Sequence, residues 1–150
     1  MRLEHYLAPE QILMFPATSK QSVLDQLSNA LATTLEIDSQ ILRDAVWARE
    51  ALMSTGIGGG IGVPHVRLKE VKRATMAVGV CPGGITDYES IDASDVHLAV
   101  LIAAPAGEHE LYIRLLARVA DVLRSRERRE AILAATDPNE VYSLLLAEQG

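Results

Sequence analysis

STGIGGGIGVPHV, residues 54–66, packs five glycines into the seven positions 56–62 and follows them with a proline and a histidine. Glycine loses more conformational freedom on folding than any other residue, so such a run needs a compensating reason. Close approach of another backbone or of a ligand is one reason. A concavity of bare N–H groups that receives an anion is another. Gly56, Gly58, Gly60 and Gly62 alternate with Ile57, Gly59, Ile61 and Val63. Where that period of two holds, apolar side chains face one side and naked backbone the other. Pro64 pushes Val63 toward an extended conformation, so His65 is expected at a fixed place on the end of a short strand, IGVPH (61–65). On spacing alone, a glycine-rich turn with a solvent-facing histidine accounts for the pattern equally well. The phosphate-loop templates fail: no Lys-Ser or Lys-Thr follows the glycines, and positions 61, 63 and 65 spoil a G-x-G-x-x-G reading.

Working outward, ILMF (12–15) is a short apolar run that reads as a buried strand. Ser19 can cap a helix KQSVLDQLSNALATTL (20–35), whose Val23, Leu27, Ala30, Leu31 and Leu35 share a face. Asp38 can cap a second, SQILRDAVWAREAL (39–52), striped by Ile41, Leu42, Ala45, Val46 and Leu52, with Arg49 near its C-terminal end. Beyond the glycines, RATMAVGVC (73–81) is a strand candidate ended by the turn signal PGG (82–84). VHLAVLIAA (96–104) is apolar on both faces, as a covered central strand must be. EHELYIRLLARVADVLR (108–124), ERREAILAAT (127–136) and DPNEVYSLLLAEQ (137–149) read as helices, the last with Asp137 as cap and Pro138 in its first turn. The order is strand, two helices, three strands, three helices. It predicts an α+β fold in three α/β/α layers around a central mixed sheet, as one domain over residues 1–150.

Composition sets the bounds. At 150 residues a fold hides roughly 70% of the surface of its unfolded chain. The sequence is 49% hydrophobic but only 4% aromatic, so Ala, Leu, Ile and Val must do the packing. A formal net charge of −6 argues against a nucleic-acid binder or an anionic-membrane binder. The single cysteine, Cys81, cannot form an internal disulfide and fits a reducing compartment. MRLEHYLAPE has no apolar core of a signal peptide, and no run approaches the ~20 apolar residues of a membrane helix. These features predict a cytoplasmic protein with no membrane insertion.

AREALMSTGIGGGIGVPHVRL (48–68) closely resembles the active-site segment of the type-2 enzyme IIA domains of the bacterial phosphoenolpyruvate-dependent phosphotransferase system: the mannitol, fructose and nitrogen-regulatory IIA proteins. The shared pattern runs Arg-Glu, then Ser-Thr-Gly-Ile-Gly, then Gly-Ile-x-Val/Ile-Pro-His. The likeness continues in the element order and in AAPAGEHE (103–110) and LLARVADVL (115–123), covering nearly the whole chain. It implies that His65 is a phosphoryl acceptor and that Arg49 matches the family's arginine. It further implies that phosphate comes from the phosphocarrier protein HPr and goes to a IIB domain or serves as a regulatory signal to a target protein. No cofactor and no metal are implied. The 150-residue length resembles the nitrogen-regulatory type more than a fragment of a sugar permease.

The chemistry suits the residue types. Neutral imidazole, with an ordinary pKa of about 6.5, keeps a lone pair free at neutral pH. A loose phosphoryl transition state asks the protein for placement and charge, which a planar guanidinium supplies. Backbone N–H groups around Gly58 and Gly60, with the hydroxyls of Ser54 and Thr55, are further candidate donors. One departure stands out. The family carries a second histidine at the start of the helix after the last strand; an ungapped alignment puts Tyr112 there, whereas His109 lies one turn earlier on roughly the same face. Either can occupy that place, and a phenol has no cationic form near pH 7.

The remaining features have plainer readings. His97 opens an apolar strand as a hydrogen-bonded residue, His5 is exposed, RSRERR (124–129) is a solvated turn, and Trp47 and most apolar residues of 111–122 are core.

Overall fold

The computed structural model describes residues 1–147. After two single 3-10 turns, the chain forms β1 (Ile12–Met14), β2 (Thr18–Ser19), α1 (Lys20–Leu35), α2 (Ser39–Leu52), β3 (Gly56–Gly58), β4 (Ile61–Gly62), β5 (His65–Leu68), β6 (Thr75–Thr86), β7 (Val96–Pro105), α3 (His109–Val122), α4 (Arg126–Ala134) and α5 (Pro138–Leu146). Three caps are those read from the sequence: Ser19 accepts from the N–H of Ser22, Asp38 from Gln40 and Asp137 from Glu140. Each satisfies a donor that the first helical turn leaves without a partner. Glu148 and Gln149, the end of the last predicted helix, lie outside the described residues.

One mixed sheet runs in the order β1-β6-β7-β4-β3. β2 extends the line of β1 beside β6, and β5 extends the line of β4 beside β7. β6 and β7 pair antiparallel, whereas β1 is parallel to β6 and both β4 and β5 are parallel to β7. Alternation along the two long strands divides the core. Val78, Val80, Val100 and Ile102 pack toward α3, α4 and α5, while Ala77, Cys81, Ala99, Leu101 and Ala103 pack toward α1 and α2. The result is the three-layer α+β arrangement expected from the sequence.

Five expectations are corrected. The order is not strand, two helices, three strands, three helices: two strands precede α1 and five separate α2 from α3, because the glycine turn and the break at Pro64 divide the predicted IGVPH region into short strands. The glycine stretch is not one alternating strand: Gly58, Gly59 and Gly60 take φ of 93°, 67° and 81°, so the chain reverses into a β3/β4 hairpin. Ile57 is consequently exposed and Ile61 buried. PGG does not end β6, which continues to Thr86; Gly84, at φ 95°, absorbs an irregularity between Val80 and Ile85 in the pairing with β7. RSRERR is not a solvated turn: Ser125 caps α4, and Arg128 reaches the carbonyls of Leu144 (2.7 Å) and Ala147 (2.7 Å) at the end of α5. That guanidinium satisfies acceptors that a helix end leaves open. Trp47 is half-buried and gives its indole N–H to Asp25 at 2.8 Å, and Ile113 is exposed while Leu115, Val119 and Val122 are core.

Candidate active site

Pro64 delivers the chain into β5, whose first residue, His65, pairs with Ile102 of β7. The half-buried imidazole has its Nδ1 at 2.6 Å from the carbonyl oxygen of Val63. A carbonyl can only accept, so Nδ1 carries the proton and Nε2 the lone pair. Burial is the main force holding the His65 pKa below its ordinary value. The Arg49 guanidinium adds to it, against the opposing pulls of the Val63 carbonyl and the Glu50 carboxylate. The imidazole is therefore neutral at pH 7, with one nitrogen pinned and the other nucleophilic.

An open cleft of about 380 Å³ surrounds it, with Arg49, Leu52, Arg67, Ala106 and Tyr112 among its walls. Arg49, from the last turn of α2, gives one N–H to the Met53 carbonyl at 2.9 Å. Tyr112, from the first turn of α3, meets the His65 ring in a T-shaped contact with 5.4 Å between centroids. His109 sits at the exposed start of α3, 6.5 Å from the Tyr112 ring. Of the two candidates for the second position, it is Tyr112 that meets His65.

The glycine turn and the two hydroxyls lie elsewhere. Ile61 pairs with Leu98, four residues along β7 from the partner of His65, which is about 13 Å away at strand rise. The Gly59 N–H is taken by the Asp92 carboxylate at 3.0 Å, and a Cβ on Gly58 would sit 3.1 Å from the same group. The Gly60 carbonyl accepts from the N–H groups of His97 and Leu98. Ser54 gives its hydroxyl to the Glu89 carbonyl at 2.6 Å. The Thr55 hydroxyl is buried in a 2.6 Å hydrogen bond with the Tyr88 phenol. Gly58, Gly60, Ser54 and Thr55 thus build the wall behind the site and do not line the cleft.

That wall contains residues the sequence reading missed. Glu50 is buried, ion-paired to Lys20 at 2.9 Å, and accepts the Thr55 N–H at 3.3 Å. Lys20 Nζ also stands over the Tyr88 ring, 4.5 Å from its centroid. Burial, with the Glu50 charge adding to it, pushes the Tyr88 phenol far above its usual range. This Lys20–Glu50–Thr55–Tyr88 cluster ties the end of α2 to the hairpin, and so fixes the segment from which Arg49 projects. Arg67 was also missed. It follows His65 by two, the strand spacing that puts two side chains on one face, and that signal was available in the sequence.

The family model described as "Phosphoenolpyruvate-dependent sugar phosphotransferase system, EIIA 2" matches residues 5–148. The chain belongs to this family. Members act as phosphotransfer components. A nitrogen regulatory protein of Pseudomonas aeruginosa is 32% identical over 99% of this chain and 97% of that protein. The fructose-specific EIIABC component of Bacillus subtilis is 30% identical over 97% of this chain, which spans 23% of that longer protein. The fold matches the crystal structure of the nitrogen regulatory protein IIA-Ntr of Neisseria meningitidis with a TM-score of 0.86 at 24% identity, over 94% of this chain and 97% of that one. It also matches the mannitol IIA protein of Escherichia coli, solved in complex with phosphorylated IIB, with a TM-score of 0.75 at 24% identity over 93% and 96%. As an EIIA-family chain it has, among its described residues, no helix long and apolar enough to cross a membrane.

Proposed function

We propose that this protein is a phosphohistidine carrier: His65 accepts a phosphoryl group from the phosphocarrier protein HPr and passes it to a IIB domain or holds it as a regulatory mark. The observation that carries the reading is the state of the imidazole. Its Nδ1–H is pinned to the Val63 carbonyl and its charge is suppressed by burial and by Arg49, which leaves Nε2 as the nucleophile in a cleft walled by that guanidinium. Arg49 receives the phosphoryl oxygens, and the transfer needs no metal or cofactor from the protein. Leu52 and Met53, at 82% and 70% exposed, form an apolar rim beside Arg49 that suits docking of a protein donor. Such a relay operates in the cytoplasm.

Incubation with phosphorylated HPr tests this. One acid-labile, alkali-stable phosphate is expected, and it should vanish in His65→Ala. Labelling that survives that substitution unchanged would sink the assignment.

A second reading gives the same phosphorylation a regulatory purpose, with little or no role in sugar transport. The near full-length similarity to a nitrogen regulatory protein supports it. Pull-downs with phosphorylated and unphosphorylated protein separate the two: a regulator exchanges binding partners with its phosphorylation state, and a pure relay does not.

A further inference from the structure

β5 sets two functional side chains on one face. His65 and Arg67 are separated by Val66, which is buried toward α1 and α2, so they project together, about 6.6 Å apart along the strand. Arg67 lays its guanidinium over the Tyr112 ring, 5.3 Å from the centroid, and that same ring makes the T-shaped contact with His65. One N–H of Arg67 reaches the Ala106 carbonyl at 3.4 Å; the rest of its fork has no hydrogen-bond partner among the described residues. Arg49 is arranged alike, with one N–H on a carbonyl and its other donors without a hydrogen-bond partner among the described residues. The two arginines come from different elements, α2 and β5, and line one cleft whose walls hold no carboxylate among the described residues, Glu50 lying buried behind them. In a chain of net charge −6, that is a local concentration of positive charge at the nucleophile.

Tyr112 does not supply this charge. Burial raises its phenol, although both arginines pull the other way, so it stays neutral near pH 7. What it supplies is a face for the Arg67 cation, an attraction of the cation–π kind. A phosphoryl group in flight spreads its negative charge over three equatorial oxygens, and one guanidinium fork engages two of them.

We infer that Arg67 is the second phosphoryl-binding guanidinium of the site, placed by Tyr112, and that with Arg49 it gathers the phosphoryl oxygens as phosphorus reaches His65. This rests on the carrier reading above. In the step, the Nε2 lone pair of His65 forms an N–P bond while the N–P bond of the donor phosphohistidine breaks, its electron pair returning to the donor ring. The positive charge of the protonated donor ring passes to the His65 ring, whose Nδ1–H stays on the Val63 carbonyl. No proton moves, and the two guanidinia offset the phosphoryl charge throughout.

The test uses the full chain with phosphorylated HPr as donor, in the parent, Arg67→Ala and Arg67→Lys. Rapid quench gives the rate of label arrival on His65, and ³¹P NMR gives the resonance of the phosphohistidine. Arg67→Ala should slow maximal transfer by about tenfold or more, less than the ~10²–10³ of a fully buried donor because Arg67 is exposed. It should shift the ³¹P resonance and leave His65 the labelled residue. Arg67→Lys, which keeps the charge but not the fork, should recover part of the rate. A rate within twofold of the parent with an unmoved resonance overturns the inference. So does a loss shared equally by both variants and accompanied by a fallen thermal midpoint, which marks a structural role through Ala106. If the parent itself takes no label, the carrier reading falls first, and the two failures are thereby told apart.

Discussion

The Tyr112 ring and the His65 imidazole meet in a T-shaped contact with centroids 5.4 Å apart and planes at 61°, so a phenol covers the proposed phosphoryl acceptor. Burial is the main cause of the lowered His65 pKa, and Tyr112 is part of the cover. Tyr112→Ala should therefore raise the His65 pKa toward the ordinary imidazole value, while Tyr112→Phe should leave it close to the parent. NMR titration of the imidazole resonances measures both. An unmoved midpoint in the alanine variant would show that other groups do the shielding.

The same lowered pKa sets two pH dependences. Acceptance of phosphate needs the neutral ring, so the acid limb of the transfer rate should fall below the ordinary imidazole value of about 6.5. Arg49→Ala removes one of the lowering influences and should move that limb upward, besides slowing transfer by ~10³. For stability the sign follows from proton count: between the two pKa values the unfolded chain binds more protons than the folded one. His65 therefore withdraws stability as pH falls from the unfolded value through the lowered folded one. Denaturant titrations of the parent and His65→Ala across that window should show a smaller pH slope in the variant.

How far the sequence revealed this arrangement depends on how far apart the partners lie. Ser19, Asp38 and Asp137 are caps that act within three residues, and all three were legible. The motif around Arg49 and His65 was legible because its spacing is local. The glycines misled because Gly58–Gly60 can adopt positive φ, which turns an apparent alternation into a hairpin, and nothing local tells the two apart. PGG was read as an end, but Gly84 accommodates an irregularity that lets β6 go on pairing with β7. The role of Glu50 was not legible: its partner Lys20 is thirty positions away, and only the packing of α1 against α2 brings them together.

That ion pair makes a stability prediction. Both side chains are mostly buried, at 11% and 2% exposed, and one Glu50 oxygen, Oε2, has no hydrogen-bond partner among the described residues. Lys20→Met strands the carboxylate and should cost about 3–5 kcal/mol of unfolding free energy. The double variant Lys20→Met with Glu50→Gln removes the stranded charge and should recover much of the loss. Urea unfolding of the three proteins gives the comparison; additive losses would mean the two residues do not act as a pair.

Gly62 is required for a packing reason. A Cβ there would lie 2.5 Å from the ring carbon that bears the Tyr88 hydroxyl, inside the hydrogen-bonded pair with Thr55. Gly62→Ala should cost about 1–3 kcal/mol as the ring is displaced. Tyr88→Phe in the same background would not relieve it, since the clash is with the ring as well as the hydroxyl. A thermal midpoint unchanged by Gly62→Ala would show that β4 yields instead of the ring.

Leu52 tests the apolar rim. It is 82% exposed at the end of α2, one turn from Arg49, and lines the cleft. Its change to glutamate should leave the fold and the His65 titration nearly intact, because the side chain is solvated. A protein donor that docks on the rim must bury this position, and a charge there is desolvated without a partner. The apparent KM for phosphorylated HPr should rise by about tenfold, equivalent to ~1.4 kcal/mol, with the maximal rate changed much less. The opposite split, a fallen maximal rate at unchanged KM, would place Leu52 in the chemistry of the cleft and leave the docking surface to be sought elsewhere.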